Sequence, residues 1–464
     1  MTQRFAIFNL VTFISVFLIF GYQIPTWAAA SNYPVAWALN VGGEAYTGED
    51  GIEYRADDTD ASKVGNISIV QGAQDQTVLR SYRRGMFTLN QPLENGLYTV
   101  TLLFAEPEDL AIGDRRFDVK IQDVLALQNF DIVQARGGNS RAAVIRSVPN
   151  VAVKHGVLAV TLESIQGEPV LNGIVVRPAY VAADDWTLVW GDEFDYLGAP
   201  DPQKWSYDLW PAGKVNQELQ AYTDQTKNVR VENGRLIIQA HKEAVDQPSA
   251  NQPQYTSGRI HSANKGDILY GRVEVKAKLP AGQGTWPAIW MLPTDAFRYA
   301  TSCGPKAEWQ GSDRCDAWPN SGEIDIMEHV GYDMNRVHGT VHTKAYYWVN
   351  GEQRQATVEA ESVAQRFHLY ALEWSPQRLD IFYDEQLYFT YLNQDEGWQA
   401  WPFDHPFHVI LNLAVGGNWG AAGGPVDNSV MPATLEVDYV RFYKPKAQEK
   451  LNVSEALKAP ANVK

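Results

Sequence analysis

Residues 322–329, Gly-Glu-Ile-Asp-Ile-Met-Glu-His, hold three carboxylates among three large apolar side chains. Ile324 and Ile326 alternate with Glu323 and Asp325, so the period-two geometry of a β-strand sends the isoleucines to one face and the acids to the other. Glu328 breaks the alternation. It follows Glu323 by five positions and in a regular strand faces the opposite way. One extra residue, a β-bulge near Met327, returns it to the acidic face, and bulges recur beside active sites because they re-aim a side chain. Two carboxyl groups brought to a separation of about 5 to 5.5 Å can cleave a glycosidic bond through a covalent intermediate. Crowding of like charges raises the proton affinity of one carboxyl above the other, which divides nucleophile from acid. Taken alone, such a triplet fits an ordinary half-exposed strand whose acids face water, so the remaining chain has to decide.

The elements that must position these acids are strands. Residues 271–278 and 435–442 alternate apolar and polar side chains, as strands of a half-buried sheet do. Residues 97–104 and 156–162 repeat the pattern, bounded by turn residues, and no long amphipathic helical run lies between Asn40 and Val176. The chain therefore reads as all-β, with a larger sandwich over residues 186–444, a smaller β-sandwich over residues 31–180, and a short linker at 179–185.

Several motifs accompany the acidic strand in a fixed order. They are Gly258-Arg259-Ile260, residues 271–278, residues 284–293 with Trp286-Pro287-Ala288-Ile289-Trp290, His338-Gly339-Thr340-Val341-His342, and residues 410–419 ending in Gly416-Gly417-Asn418-Trp419. Together they resemble family 16 of the glycoside hydrolases, in its laminarinase branch, over residues 186–443. The resemblance implies a jelly-roll sandwich with a sugar chain lying across one sheet, and a retaining double displacement. By motif position Glu323 matches the nucleophile, Glu328 the acid/base, and Asp325 the residue that hydrogen-bonds and orients the nucleophile. Asn216, Trp286, Trp290, Asn412, Asn418 and Trp419 match substrate-contacting positions, and His342 fits a hydrogen-bond partner at the acid/base end. Gln217 and Ala221 depart from the commoner residues at their positions. The carboxylate chemistry needs no cofactor. A structural Ca²⁺ held by Glu193, Asp438 and the Gly234 carbonyl is implied by relatives that carry one, and oxygen ligands suit that ion. The implied activity is a secreted endo-β-1,3-glucanase; a glucan-recognition protein that does not cut, a transglycosylase and another polysaccharide hydrolase of the family are the alternatives. The bulged spacing separates this chain from lichenase-like and xyloglucan-modifying branches.

In the first domain, residues 39–43, 54–57, 98–106, 116–119 and 129–132 resemble, in that order, the malectin-like carbohydrate-binding domains. The resemblance implies a sugar site at Tyr54, Tyr82 and Asp131, although Arg83 and Arg84 stand where further aromatics are common.

Composition agrees with a sugar-binding role. Only Trp27 and Trp37 of the 15 tryptophans precede residue 186, and indole faces offer the largest surface for stacking on a sugar ring. Trp190, Trp205 and Trp374 are read as packing residues. A net charge of −16 over 464 residues argues against nucleic acid or anionic membrane as a partner. It also favours a neutral glucan over a sulfated one. Arg4, the apolar residues 5–20 and Ala28-Ala29-Ala30 read as a cleavable signal peptide spanning residues 1–30, so the protein is expected outside the cell or in the periplasm, off the membrane and monomeric. In such a compartment Cys303 and Cys315, the only cysteines, should pair; closing a loop of about 13 residues contributes roughly 3 kcal/mol. Residues 445–464 lack aromatics and read as a disordered tail.

Overall fold

The computed structural model describes residues 35–58, 63–139, 141–178, 186–244, 253–303 and 315–446. The expected signal peptide and the linker at 179–185 lie outside them, as does most of the expected tail. Pro445 still belongs to the strand Ala433–Pro445, so that boundary moves outward. Among the described residues no helix is long and apolar enough to cross a membrane.

Two hydrophobic cores organise the chain. The larger lies between two sheets. One carries, in spatial order, Arg259–His261, Phe407–Val415, Thr285–Pro293, Glu323–Glu328, Arg336–His342 and Arg354–Glu359; the other includes Ala433–Pro445, Gly271–Lys278, His368–Trp374 and Arg378–Tyr383. Inward residues of both sheets, such as Ile324, Ile326, Val275 and Val440, are fully buried in this core. Trp205 and Trp374 pack there too, with Trp190 against its edge. The pattern follows from alternation, which gives each strand one apolar face to bury. The second core belongs to the first domain, where Gly96–Phe104, Val144–Val153 and Gly173–Pro178 face Phe87–Pro92, Arg116–Ile121 and Val157–Gln166.

The sandwiches are not separate, as the linker reading expects. Val144–Val153 pairs in parallel with Arg354–Glu359, with Arg146 opposite Thr357 and Ser147 opposite Val358, so one sheet runs through both domains. An edge strand presents a row of unpaired backbone groups, and here the first domain covers that edge. Side chains reinforce the joint: Arg146 Nη1 donates to Thr357 Oγ1 at 2.8 Å, Gln386 Nε2 to Asn150 Oδ1 at 2.8 Å, and Gln74 exchanges two bonds with the Leu392 backbone at 2.6 and 2.8 Å.

Candidate active site

The strand Glu323–Glu328 carries the expected irregularity. Glu323 faces His342 and Glu328 faces His338 on the next strand, while Asp325 faces Thr340, so three steps on one strand oppose two on the other. The same offset appears on the opposite side, where Trp290 faces Asp325 and Ile289 faces Met327. Ile326 and Met327 both turn into the core, and Glu323 and Glu328 emerge on one face, at the floor of a cleft of about 970 Å³.

Hydrogen bonding distinguishes the two glutamates. Glu323 accepts from Trp318 Nε1 at 2.8 Å and is also hydrogen-bonded to Asp325. Asp325 is 2 % exposed, and burial, followed by the charges of Glu323 and Glu328, pushes its carboxyl well above the usual range. That direction favours a proton on Asp325, and donation of it to the carboxylate favours the charged form of Glu323. Burial raises Glu323 itself, with the neighbouring Glu328 charge adding to the rise. Glu328 has one donor, Trp286 Nε1 at 3.1 Å; burial raises it, and the Glu218 charge adds to this. Two donors on Glu323 against one on Glu328 favour the anion on Glu323, while burial and the Glu328 charge oppose them and push Glu323 up to about 8 against about 7 for Glu328. The division into nucleophile and acid therefore rests on the hydrogen bonding and the motif positions rather than on proton affinity. Burial pushes the His342 imidazole down to about 4, so it is neutral at pH 7, with Nε2 3.4 Å from Asp325 Oδ2 and 3.8 Å from Glu323 Oε1. Glu323, Asp325 and His342 are also close enough together to hold a cation; Asp325 Oδ2 and His342 Nδ1 are buried without a hydrogen-bond partner.

The sequence-derived cleft residues come together. Asn216, Trp286, Trp290, His342, Asn412, Asn418 and Trp419 all line the cleft with the two glutamates. Trp286 and Trp419 meet edge to face at 5.5 Å. On one side of the glutamates a polar chain ties the wall together: Trp290 Nε1 donates to Asn412 Oδ1 at 2.7 Å, Asn412 Nδ2 to the Tyr222 hydroxyl at 3.1 Å, and that hydroxyl to Glu218 Oε2 at 3.2 Å. The Asn216 amide donates to Glu218 Oε1 at 3.2 Å. Arg259 lies between the Trp210 and Trp290 rings, 4.1 and 4.8 Å from their centroids, with Nε 2.7 Å from Asp208 Oδ2.

Sequence reasoning missed Glu218, Arg259, Trp318 and His338. Arg259 and His338 stand inside quoted motifs, Glu218 follows Asn216 by two positions, and Trp318 precedes Glu323 by five, so their signals were present. It also missed Trp348 and the first-domain residues Arg136, Gly137 and Asn139, which line the far end of the same cleft. Nothing in their local sequence points there.

Other expectations need correction. Tyr54 is 6 % exposed and stacks on Tyr46 at 5.1 Å. Tyr82 is equally buried, and its hydroxyl accepts from Arg84 at 2.8 Å. Asp131 accepts from the Gly113 and Gln134 backbone amides at 2.6 and 2.9 Å. Each is consumed by local packing or a turn, so these residues form no open sugar site. The calcium ligands do not fit either. Both Glu193 oxygens accept from Arg441 at 2.8 Å, and Asp438 pairs with Lys276 at 3.0 Å, so each acid already has a cation of its own. Cys303 and Cys315 form a disulfide.

Two carboxyls raised on a bulged strand beneath aromatic walls define a glycoside hydrolase site. Residues 215–441 match the family model of the glycosyl hydrolases family 16, and residues 35–174 match that of the malectin domain. A β-glucanase of Rhodothermus marinus is 47 % identical over 268 residues, which cover 56 % of this chain and 86 % of that protein. Glucan endo-1,3-β-glucosidase A1 of Niallia circulans is 37 % identical over 288 residues, 58 % of this chain and 39 % of that one. The crystal structure of the Rhodothermus marinus laminarinase matches at 46 % identity with a TM-score of 0.50, over 56 % of this chain and 98 % of its own. The chain belongs to family 16 of the glycosyl hydrolases, with a malectin domain ahead of the hydrolase domain.

Proposed function

We propose that the protein is an endo-β-1,3-glucanase that hydrolyses internal linkages of laminarin-like glucans by double displacement. The observation that carries this reading is the bulge at Ile326 and Met327, which puts Glu323 and Glu328 on one cleft face with unequal hydrogen bonding. The Glu323 carboxylate attacks the anomeric carbon and forms an ester as the glycosidic C–O bond breaks, and Glu328 gives its proton to the departing oxygen. Water then yields its proton to Glu328 and its hydroxyl to the anomeric carbon, freeing Glu323. The name of the Niallia circulans relative supports the β-1,3 linkage, and the names of both relatives support a glucan substrate. A net charge of −16 suits a neutral chain.

The remaining parts of the reading rest on sequence. Residues 31–180 form the malectin-like domain and 186–444 the hydrolase domain, the leader exports the chain, and the enzyme works as a monomer without a catalytic cofactor. A glucan-binding protein that does not cut is the competing reading, and the presence of both glutamates speaks against it.

The test is reducing-sugar release from laminarin, mixed-linkage glucan, agarose and carrageenan, with product masses. Internal cleavage of laminarin yields a ladder of oligosaccharides. Glu323→Gln is expected to lower kcat by at least about 10³-fold, because the covalent route is removed, while glucan binding stays measurable. Substantial turnover in that variant overturns the assignment.

A further inference from the structure

The cleft runs across successive strands, and its walls differ in origin. Two strands beyond Glu323–Glu328 lies Arg354–Glu359, and the next strand in the sheet, Val144–Val153, belongs to the first domain. At about 4.8 Å per strand, the first domain enters the sheet roughly 14 Å from the catalytic pair, farther than one sugar ring spans.

At that end stands Trp348, 59 % exposed. With the adjoining Val349, equally exposed, it leaves an apolar patch at the mouth of the cleft, and such patches mark ligand-binding grooves. Its backbone is fixed: Trp348–Asn350 is a 3₁₀ turn whose Asn350 side chain accepts from the Tyr347 amide at 3.2 Å and donates to the Ala345 carbonyl at 2.7 Å. The adjoining Tyr347 ring packs edge-on against Trp318 at 5.9 Å, and Trp318 holds Glu323. An aromatic row therefore leads outward from the nucleophile to Trp348.

The facing wall is the first-domain segment around Gln134–Arg136. Arg136 Nη2 donates to the Gln353 carbonyl at 3.4 Å, Asn139 donates to Gln71 Oε1 at 2.7 Å, and the Gly72 amide donates to Glu352 Oε2 at 2.9 Å. The Arg136 and Gly72 bonds clamp the first domain to the loop that bears Trp348, and the Asn139 bond holds its amide in place within the first domain. Arg136, Gly137 and Asn139 line the same cleft as Glu323 and Glu328. An exposed indole opposite planar amide and guanidinium donors is the chemistry that recognises a neutral pyranose, with ring faces on the indole and hydroxyls on the donors.

We infer that Trp348 and the first-domain residues Arg136 and Asn139 form a distal sugar subsite of the catalytic cleft, taking a glucose ring of a long β-glucan chain. The first domain contributes directly to chain-length preference, through a surface other than the Tyr54, Tyr82 and Asp131 positions. This rests on the β-1,3-glucanase reading.

The experiment uses the full chain with Trp348→Ala and, separately, Arg136→Gln, on laminarin and on a graded series of β-1,3-gluco-oligosaccharides. For Trp348→Ala the expected result is a KM for laminarin raised about 5- to 10-fold with kcat unchanged. That defect shrinks as the substrate shortens and vanishes on oligosaccharides that cannot span from Glu323 to Trp348. Arg136→Gln repeats the trend more weakly. Loss of equal size at every chain length, or no loss at any length, overturns the subsite while leaving the glucanase reading intact. A wild-type protein that leaves every β-1,3-glucan uncut overturns both.

Discussion

At the Arg259 end of the cleft the polar wall is buried and cross-tied: Arg259 is 3 % exposed and pairs with Asp208, and Glu218, Tyr222, Asn412 and Trp290 form one hydrogen-bonded chain. At the Trp348 end the principal aromatic is 59 % exposed, and its partners come from another domain. The first arrangement is preorganised, so its groups need no reordering when sugar arrives, which is what a subsite next to the chemistry requires. The second is open, and only a chain long enough to arrive there gains from it. Binding at the closed end therefore serves every substrate, whereas binding at the open end discriminates by length.

The largest effect is expected at the centre, which both ends serve. Glu328→Gln should lower kcat on laminarin by about 10²- to 10⁴-fold, the usual worth of a positioned proton donor. The loss should be far smaller on an aryl β-glucoside chain whose leaving group departs without protonation. An equal loss on both substrates sinks the acid role.

Asp325 comes next, and it sharpens the account of how the pair is divided. If it acts as a neutral donor to Glu323, Asp325→Asn keeps an N–H in place and should retain most turnover, whereas Asp325→Ala should lose about 10- to 100-fold, a hydrogen bond to a charged group being worth about 1.5–3 kcal/mol. An asparagine variant as slow as the alanine variant shows that the ionised carboxylate is needed instead.

At the closed end, Arg259→Lys keeps the charge but not the planar group stacked between two indoles. We expect kcat/KM to fall about tenfold, as roughly 1–1.5 kcal/mol of stacking and hydrogen bonding is lost. The fall should be the same for short and long substrates, and a length-dependent loss there erases the contrast between the two ends.

The last effect is on stability and leaves turnover at neutral pH untouched. His408, whose ring lies 5.5 Å from that of His261 beside Arg259, is pushed down to about 3 by burial and by those neighbouring charges. Its folded form prefers the neutral ring, so its contribution is complete above the unfolded value of about 6.5 and is lost as pH falls below it, by up to about 1.4 kcal/mol per pH unit. Thermal melts of wild type and His408→Gln between pH 7 and pH 4 test this. The variant's Tm should decline less steeply, and parallel declines remove His408 as a cause.

Much of the centre was legible locally. Alternation at Ile324 and Ile326 identified the strand, and the five-residue interval between the glutamates demanded a bulge, because a carboxylate on the core face has no partner there. The cleft tryptophans and asparagines were legible through their motifs. The readings that failed depended on what surrounds a residue. Tyr54, Tyr82 and Asp131 have suitable side chains for a sugar, yet Tyr54 stacks on Tyr46, Tyr82 receives Arg84, and Asp131 caps a turn. Glu193 and Asp438 have suitable oxygens, yet Arg441 and Lys276 occupy them.

The sequence by itself determined that this chain is all-β, that it carries an acidic strand with one residue too many for regular pairing, and that aromatic motifs accompany it. Those properties are written in the period of the strand and in residue type, which neighbours along the chain fix. Only the tertiary structure decided which strand of one domain closes the sheet edge of the other, and so which distant side chains share the cleft. Pairing between Arg146 and Thr357 joins segments more than two hundred residues apart, and no local pattern encodes the partner of an edge.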